Sequence, residues 1–260
     1  MQRLLALLFL LLAAPLAAQE FPALTGRVVD AADILPPDVE AQIIARSEAI
    51  EKQTTAQVVV ATVPSLQGYE IEDYGYRLGR HWGIGQKRRP ASEGGAAQGD
   101  NGVILLIAPN ERRVRIEVGY GLEPVLTDAL SSVIIQRSIL PEFRAGNMPA
   151  GVLAGFDAIA RQIELPPEEA AQNVANAEQQ AAQDEGFPLG FVIFMLFLML
   201  WLTMASRRTK GGKRARSGGP IVIWGPGGFG GGGFSGGGFG GGGFGGGGGG
   251  FGGGGASGGW

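Results

Sequence analysis

Six carboxylates stand where this chain is expected to turn. Asp30 and Asp33 follow a short strand at Val28 and Val29, Asp100 precedes a long apolar run, and Glu117, Glu123 and Asp128 surround the glycine pair Gly119 and Gly121. A hard divalent cation such as Ca²⁺ needs several oxygen ligands gathered from separate segments. Loops at one edge of an α/β sheet bring such segments together. Three of the acids also have a plain structural use: Asp30 in a turn, Asp128 as a helix cap, and Glu117 paired with Arg115. Only convergence in space separates the two readings.

Other chemistries are poorly served. There is no cysteine, which excludes a disulfide scaffold, a lipoprotein anchor, a thiolate zinc site and a cysteine nucleophile. His81 is the single histidine and neighbours Trp82 at an expected helix end, a structural or surface position. No phosphate loop and no strand-borne G-x-S-x-G occurs, and the glycines before Asp100 lack the lysine that would hold a phosphate. A formal net charge of -3 gives no general attraction to nucleic acid.

The elements that must position these acids are expected between residues 21 and 164. Pro36 and Pro37 open a helix whose Val39, Ile43, Ser47 and Ile50 share one face. Val58 to Val63 reads as a strand covered on both sides. Ile71, Tyr74, Leu78 and Trp82 mark a second helix, stopped by Gly83 and Gly85. The apolar run Val103 to Ile107 is the expected central strand. After a turn at Asn110 and Glu111, Val114, Ile116 and Val118 alternate with Arg113, Arg115 and Glu117, the pattern of a strand with one buried face. A helix capped by Thr127 or Asp128 is limited by Pro141, and Val152, Phe156, Ile159 and Ile163 mark a last one. The expected fold class is α/β, a layered α/β/α sandwich with a mixed central sheet.

Composition divides the remainder. Residues 1–18, with Arg3 before Leu4 to Leu12 and small residues through Ala17 and Ala18, read as a signal peptide. Residues 165–186 read as a stalk linker, in part helical. Phe187 to Ser206 contains no charge and has the length of a transmembrane helix. Arg207, Arg208, Lys210, Lys213, Arg214 and Arg216 follow it, so the positive-inside rule puts the domain outside the cytoplasm, periplasmic or extracellular, and the tail within. Residues 217–260 are mostly glycine with Phe229, Phe234, Phe239, Phe244 and Phe251, a composition expected to stay disordered.

The stretches G-R-V-V-D-A-A-D-I-L (Gly26 to Leu35), H-W-G-I-G-Q-K (His81 to Lys87), D-N-G-V-I-L-L-I-A (Asp100 to Ala108), R-V-R-I-E-V-G-Y-G-L-E-P-V-L-T-D (Arg113 to Asp128) and L-P-E-F-R-A-G-N (Leu140 to Asn147) resemble, in order, the TPM-domain family. Bacterial members similar to this chain join the domain to one membrane span and a Gly-rich tail with an aromatic end, as Gly252 to Trp260 does here. The basic, Gly/Ala-rich insertion from Arg88 to Gly99 departs from the family pattern. The resemblance implies an α/β sandwich and, in some members, binding of Ca²⁺ or another divalent cation with weak acid-phosphatase-like activity; other members resemble accessory factors for membrane complexes. The acidic positions it carries over as a cation site are Asp30, Asp100, Glu117 and Asp128. The expected function is that of a membrane-anchored accessory or maintenance factor binding membrane or envelope proteins and no nucleic acid. The alternative is a cation-dependent phosphomonoesterase.

Overall fold

The computed structural model describes residues 19–87, 99–184, 189–206 and 248–260. The two most apolar runs lie side by side at the middle of a sheet: β2 (Gln57–Thr62) pairs in parallel with β3 (Gly102–Ala108), and every residue of both is buried. Such runs need cover on both faces. The short β1 (Val28–Asp30) extends the parallel side, and β4 (Arg113–Gly119) pairs antiparallel with β3, closing the hairpin expected at Asn110. The sheet order is β1-β2-β3-β4-β5, with β5 formed by Phe251–Gly259.

Alternate side chains of the strands feed two cores. On one face Val58, Val60, Leu105, Ile116 and Val118 meet Ile43 and Ile50 of α1 (Pro37–Thr54) and Phe156 and Ile159 of α5 (Met148–Glu164). On the other, Val59, Ala61, Ile104 and Leu106 meet Ile71, Tyr74, Leu78 and Trp82 of α2 (Ile71–Trp82). Burying an aliphatic or aromatic side chain of this size contributes roughly 1.5–3 kcal/mol. The helix periodicities therefore decide the layering, and the mixed α/β sandwich is as expected.

Four expectations are corrected. First, the β4 face carrying Arg115 and Glu117 is not solvent-exposed; these side chains are 4% and 0% accessible. α2 lies over them, and Gly75 leaves the room they need, since a Cβ there would come within 3.2 Å of Arg115 Cδ. Second, Pro141 does not end a helix. α3 (Asp128–Ile134) runs through a π-helical stretch, Ile135–Ile139, into α4 (Leu140–Arg144), where the proline sits in the first turn and needs no N–H. Third, the supposed stalk contains α6 (Pro167–Asp184), held to the domain by buried Ala170 and Ala177 and by Asn173 Nδ2 donating to Gln162 Oε1 at 3.1 Å. Small alanines allow close helix contact without an obvious apolar stripe.

The fourth correction concerns the glycine-rich tail, whose last part is ordered as β5, antiparallel to β4 from Arg113↔Gly259 to Val118↔Gly254. Phe251 is fully buried against the α2 side of the sheet. The Phe143 and Trp260 rings lie 4.5 Å apart at the other end of the strand. Backbone pairing plus two aromatic anchors offset the ordering entropy that the composition alone could not. Residues 1–18, the insertion at 88–98, the basic segment 207–216 and the rest of the tail to 247 lie outside the described residues.

The chain divides into two units, Met1–Ala181 with Gly243–Trp260, and Ala182–Gly242. The second holds α7 (Leu189–Ser206), eighteen residues without a charge. At 1.5 Å per residue it is about 27 Å long, against a hydrocarbon core of about 30 Å. No helix among the described residues is long and apolar enough to cross a membrane.

If β5 belongs to the core, Phe251→Ala should cost the full chain roughly 3–5 kcal/mol, the usual figure for emptying a buried aromatic site. Chemical denaturation in detergent measures this. A loss below about 0.5 kcal/mol, the scale of surface changes, would detach the strand from the fold.

Candidate functional site

Asp30 ends β1, and its carboxylate closes the turn that follows. Oδ1 accepts the Ile34 N–H at 3.2 Å, Oδ2 accepts the Leu35 N–H at 2.8 Å, and the Thr62 hydroxyl donates to Oδ1. This is the turn role read from the sequence. It also fixes where Asp30 lies, because Asp30 pairs with Thr62 and Thr62 with Ile107, at the far end of β3 from Asp100. At about 3.3 Å per strand residue the two acids stand roughly 20 Å apart along the sheet. They cannot share an ion.

Asp100, Glu117 and Asp128 do gather at the same end. Asp100 is 5% exposed and holds a left-handed backbone, φ 53°, just before β3. Its carbonyl accepts the Gly121 N–H at 2.9 Å, and its Oδ1 accepts the Gly250 N–H at 2.6 Å. The adjacent Asn101 ties two more loops, accepting from Gln86 N at 2.8 Å and donating to the Thr55 carbonyl at 2.7 Å. The D-N-G stretch thus works as a loop clasp. Asp128 opens α3, but Thr127 is the cap, its hydroxyl accepting from Leu130 N at 3.4 Å. That leaves Asp128 Oδ1 to accept the Gly255 N–H at 2.6 Å.

Glu117 is the buried member. Arg115 Nε donates to its Oε2 at 2.5 Å, and Arg115 Nη2 donates to the Gly253 carbonyl at 2.8 Å. Oε1 is buried with no hydrogen-bond partner among the described residues. Burial pushes the carboxyl up to about 7; the Arg115 guanidinium and the Gly253 amide pull it down, and Asp128 adds a small push upward. Complete dehydration of the carboxylate outweighs one ion pair whose geometry leaves an oxygen unserved.

One pattern runs through these contacts: the acids and the arginine are engaged by the tail strand. Ser257 adds another, its hydroxyl donating to Glu72 on α2. The carried-over cation does not fit this arrangement. Asp30 is remote, Asp100 and Asp128 each accept a tail N–H, only one oxygen of Glu117 is partnered, by Arg115, and no group of three or more His, Cys, Asp or Glu able to hold a metal is found among the described residues. The recess beside Asp128, about 380 Å³, is lined by Glu123, Thr127, Asp128, Ala129, Glu178 and Gly254, with no cationic side chain. A larger one of about 480 Å³, lined by Leu130, Ile134, Ala158, Arg161, Gln162 and Glu164 among others, includes none of the three acids. His81 is exposed, with its ring 5.2 Å from that of Phe21.

The tail contacts, and the roles of Arg115 and Glu72, are absent from the expectation. Arg115 was legible only as half of the pairing with Glu117. The tail gave no periodic signal at all.

A family model described as the TPM domain matches residues 28–162. Among solved structures, the solution NMR structure of the N-terminal domain of a P. gingivalis protein is 33% identical, with TM-score 0.47, covering 54% of this chain and 83% of that one. The N-terminal domain of the cg2496 protein from Corynebacterium glutamicum, also solved by NMR, is 15% identical with TM-score 0.41, covering 59% and 92%. No curated protein matches.

The raised carboxyl sets a pH dependence. Between pH 4.5 and about 7 the folded chain keeps a proton on Glu117 that the unfolded chain has released. Its stabilising effect is complete below that window and is lost as pH rises through it, by on the order of 3 kcal/mol. Urea unfolding at pH 5 and pH 8 should show this fall, and Glu117→Gln should flatten it. An unchanged slope in the variant would remove Glu117 as its source.

Proposed function

Because the chain belongs to the TPM-domain family, its residues 28–162 matching the family model, we propose that it is a non-catalytic binding module, an accessory or maintenance factor for membrane or envelope proteins. One observation carries this reading. The acids that would build a catalytic or cation site are engaged by the chain's own donors, Asp100 by Gly250, Asp128 by Gly255 and Glu117 by Arg115. A general base needs an accessible carboxylate within reach of its proton. A phosphate dianion in the neighbouring recess would meet Glu123, Asp128 and Glu178 and no positive side chain. The phosphomonoesterase alternative rests on the family description alone.

Membrane attachment is part of the proposal and rests on the uncharged α7. The pairing of β5 with β4 constrains its sidedness, because strands that exchange hydrogen bonds share a compartment. A single crossing between Asp184 and Gly248 would separate them. We depart here from the expected topology, with the domain outside and the tail cytoplasmic. We therefore place domain and tail together outside the cytoplasm, with α7 inserted at the membrane without carrying the tail across.

Two measurements test the reading. Purified full chain should leave a generic phosphate ester unhydrolysed with or without Ca²⁺ or Mn²⁺; cation-dependent turnover lost in Asp100→Asn would replace the binding reading with an enzymatic one. Since the chain has no cysteine, single-cysteine variants report sidedness cleanly. Ser65→Cys and Thr209→Cys should both react with a membrane-impermeant maleimide on intact cells. Labelling of Thr209→Cys only after lysis would mean that α7 crosses.

A further inference from the structure

The β4 edge does more than tolerate a fifth strand; its surroundings select one sequence. The strand occupying it reads F-G-G-G-G-A-S-G-G-W from Phe251 to Trp260. Phe251 enters a fully buried pocket floored by Gly79 of α2, where a Cβ would stand 2.9 Å from its ring. Any residue larger than glycine at 79 would fill the space that the phenyl ring occupies. At the opposite end Trp260 packs on Phe143, and Ala256 and Trp260 both face the α1 and α5 side of the core.

Between the anchors the backbone is held by side chains as well as by β4. Asp100 and Asp128 accept N–H groups of Gly250 and Gly255 at 2.6 Å, Arg115 donates to the Gly253 carbonyl at 2.8 Å, and Glu72 accepts the Ser257 hydroxyl. Charged groups on backbone partners form stronger bonds than neutral ones. The same approach excludes bulk. Gly255 has φ 117°, and a Cβ on it would overlap the Ile116 carbonyl oxygen; a Cβ on Gly252 would overlap the Tyr120 ring. Main-chain bonds supply affinity and pockets for particular side chains supply specificity, which is how strand-addition receptors work.

Resting on the binding-module reading above, we propose that the β4 edge is a sequence-reading receptor for this glycine-rich, aromatic-anchored strand, and that its partner is the same segment of a second copy of the chain. The length between α7 and the strand motivates the second copy. Residues 207–247 number 41 and span at most roughly 140 Å when extended. That reach exceeds the span of one small domain, about 30 Å. One copy's strand therefore reaches the β4 edge of a neighbour, and copies at one membrane surface become linked through the exchange.

Two full-length variants separate the strand from its receptor. Gly255→Val spoils the strand and leaves an open edge; Gly79→Leu fills the Phe251 pocket and leaves a free strand. Each alone should be monomeric in detergent, and an equimolar mixture should form a one-to-one complex by size exclusion with light scattering. A synthetic peptide of residues 251–260 should bind the Gly255→Val chain, not the Gly79→Leu chain, and should weaken by at least about tenfold when valine replaces its fifth residue. Phe251→Asp supplies a second open-edge variant should Gly255→Val fail to fold. Absence of peptide binding to a folded open-edge variant overturns the receptor. Peptide binding without complex formation in the mixture overturns the second copy as partner. Both results leave the phosphate-ester assay untouched, so failure here is distinguishable from failure of the non-catalytic reading.

Discussion

The pairing of β5 with β4 is the interaction on which the acidic end of this domain depends. Without it β4 would be an edge strand presenting unpaired N–H and C=O groups beside the buried Arg115–Glu117 pair. With it, the edge is covered, the Arg115 guanidinium gains the Gly253 carbonyl, and two further acids receive backbone N–H groups. Glycine is what makes this geometry accessible, because a side chain at Gly255 would collide with β4 itself. The segment looks featureless only when separated from its receptor.

Much of the domain was legible from periodicity. Ile43, Ser47 and Ile50 of α1, the fully buried β2 and β3, the hairpin at Asn110 and the face of α5 follow from where apolar side chains recur. The failures share a physical cause. Alternation along β4 marks two faces but cannot reveal that α2 covers the polar one, so Arg115 and Glu117 read as exposed when they are buried. The alanines of α6 pack without a strong apolar stripe. β5 has no side-chain period to detect, since its contacts are made by backbone and by two aromatics at its ends.

The candidate site was legible in part. Asp100 and Asp128 each contact the tail strand and Glu117 lies on the neighbouring β4, where its pairing with Arg115 holds. Asp30 does not join them, for a reason that only sheet register supplies: the parallel pairing of β1 and β2 puts it at the opposite end. The resemblance groups these acids as one cation site, whereas the residues taken singly read as a turn, a helix cap and an ion pair. In the fold Asp30 closes a turn, Glu117 pairs with Arg115, and Asp100 and Asp128 hold the backbone of β5.

The most direct measurement is amide hydrogen exchange across residues 251–259 in the intact chain. If the strand is held as described, the amides of Gly254 to Gly258 exchange as slowly as those of β4, with protection approaching that of global unfolding, and Asp128→Asn accelerates Gly255 in particular. Exchange of the whole segment at the rate of an unstructured peptide, with β4 still protected, would contradict the account.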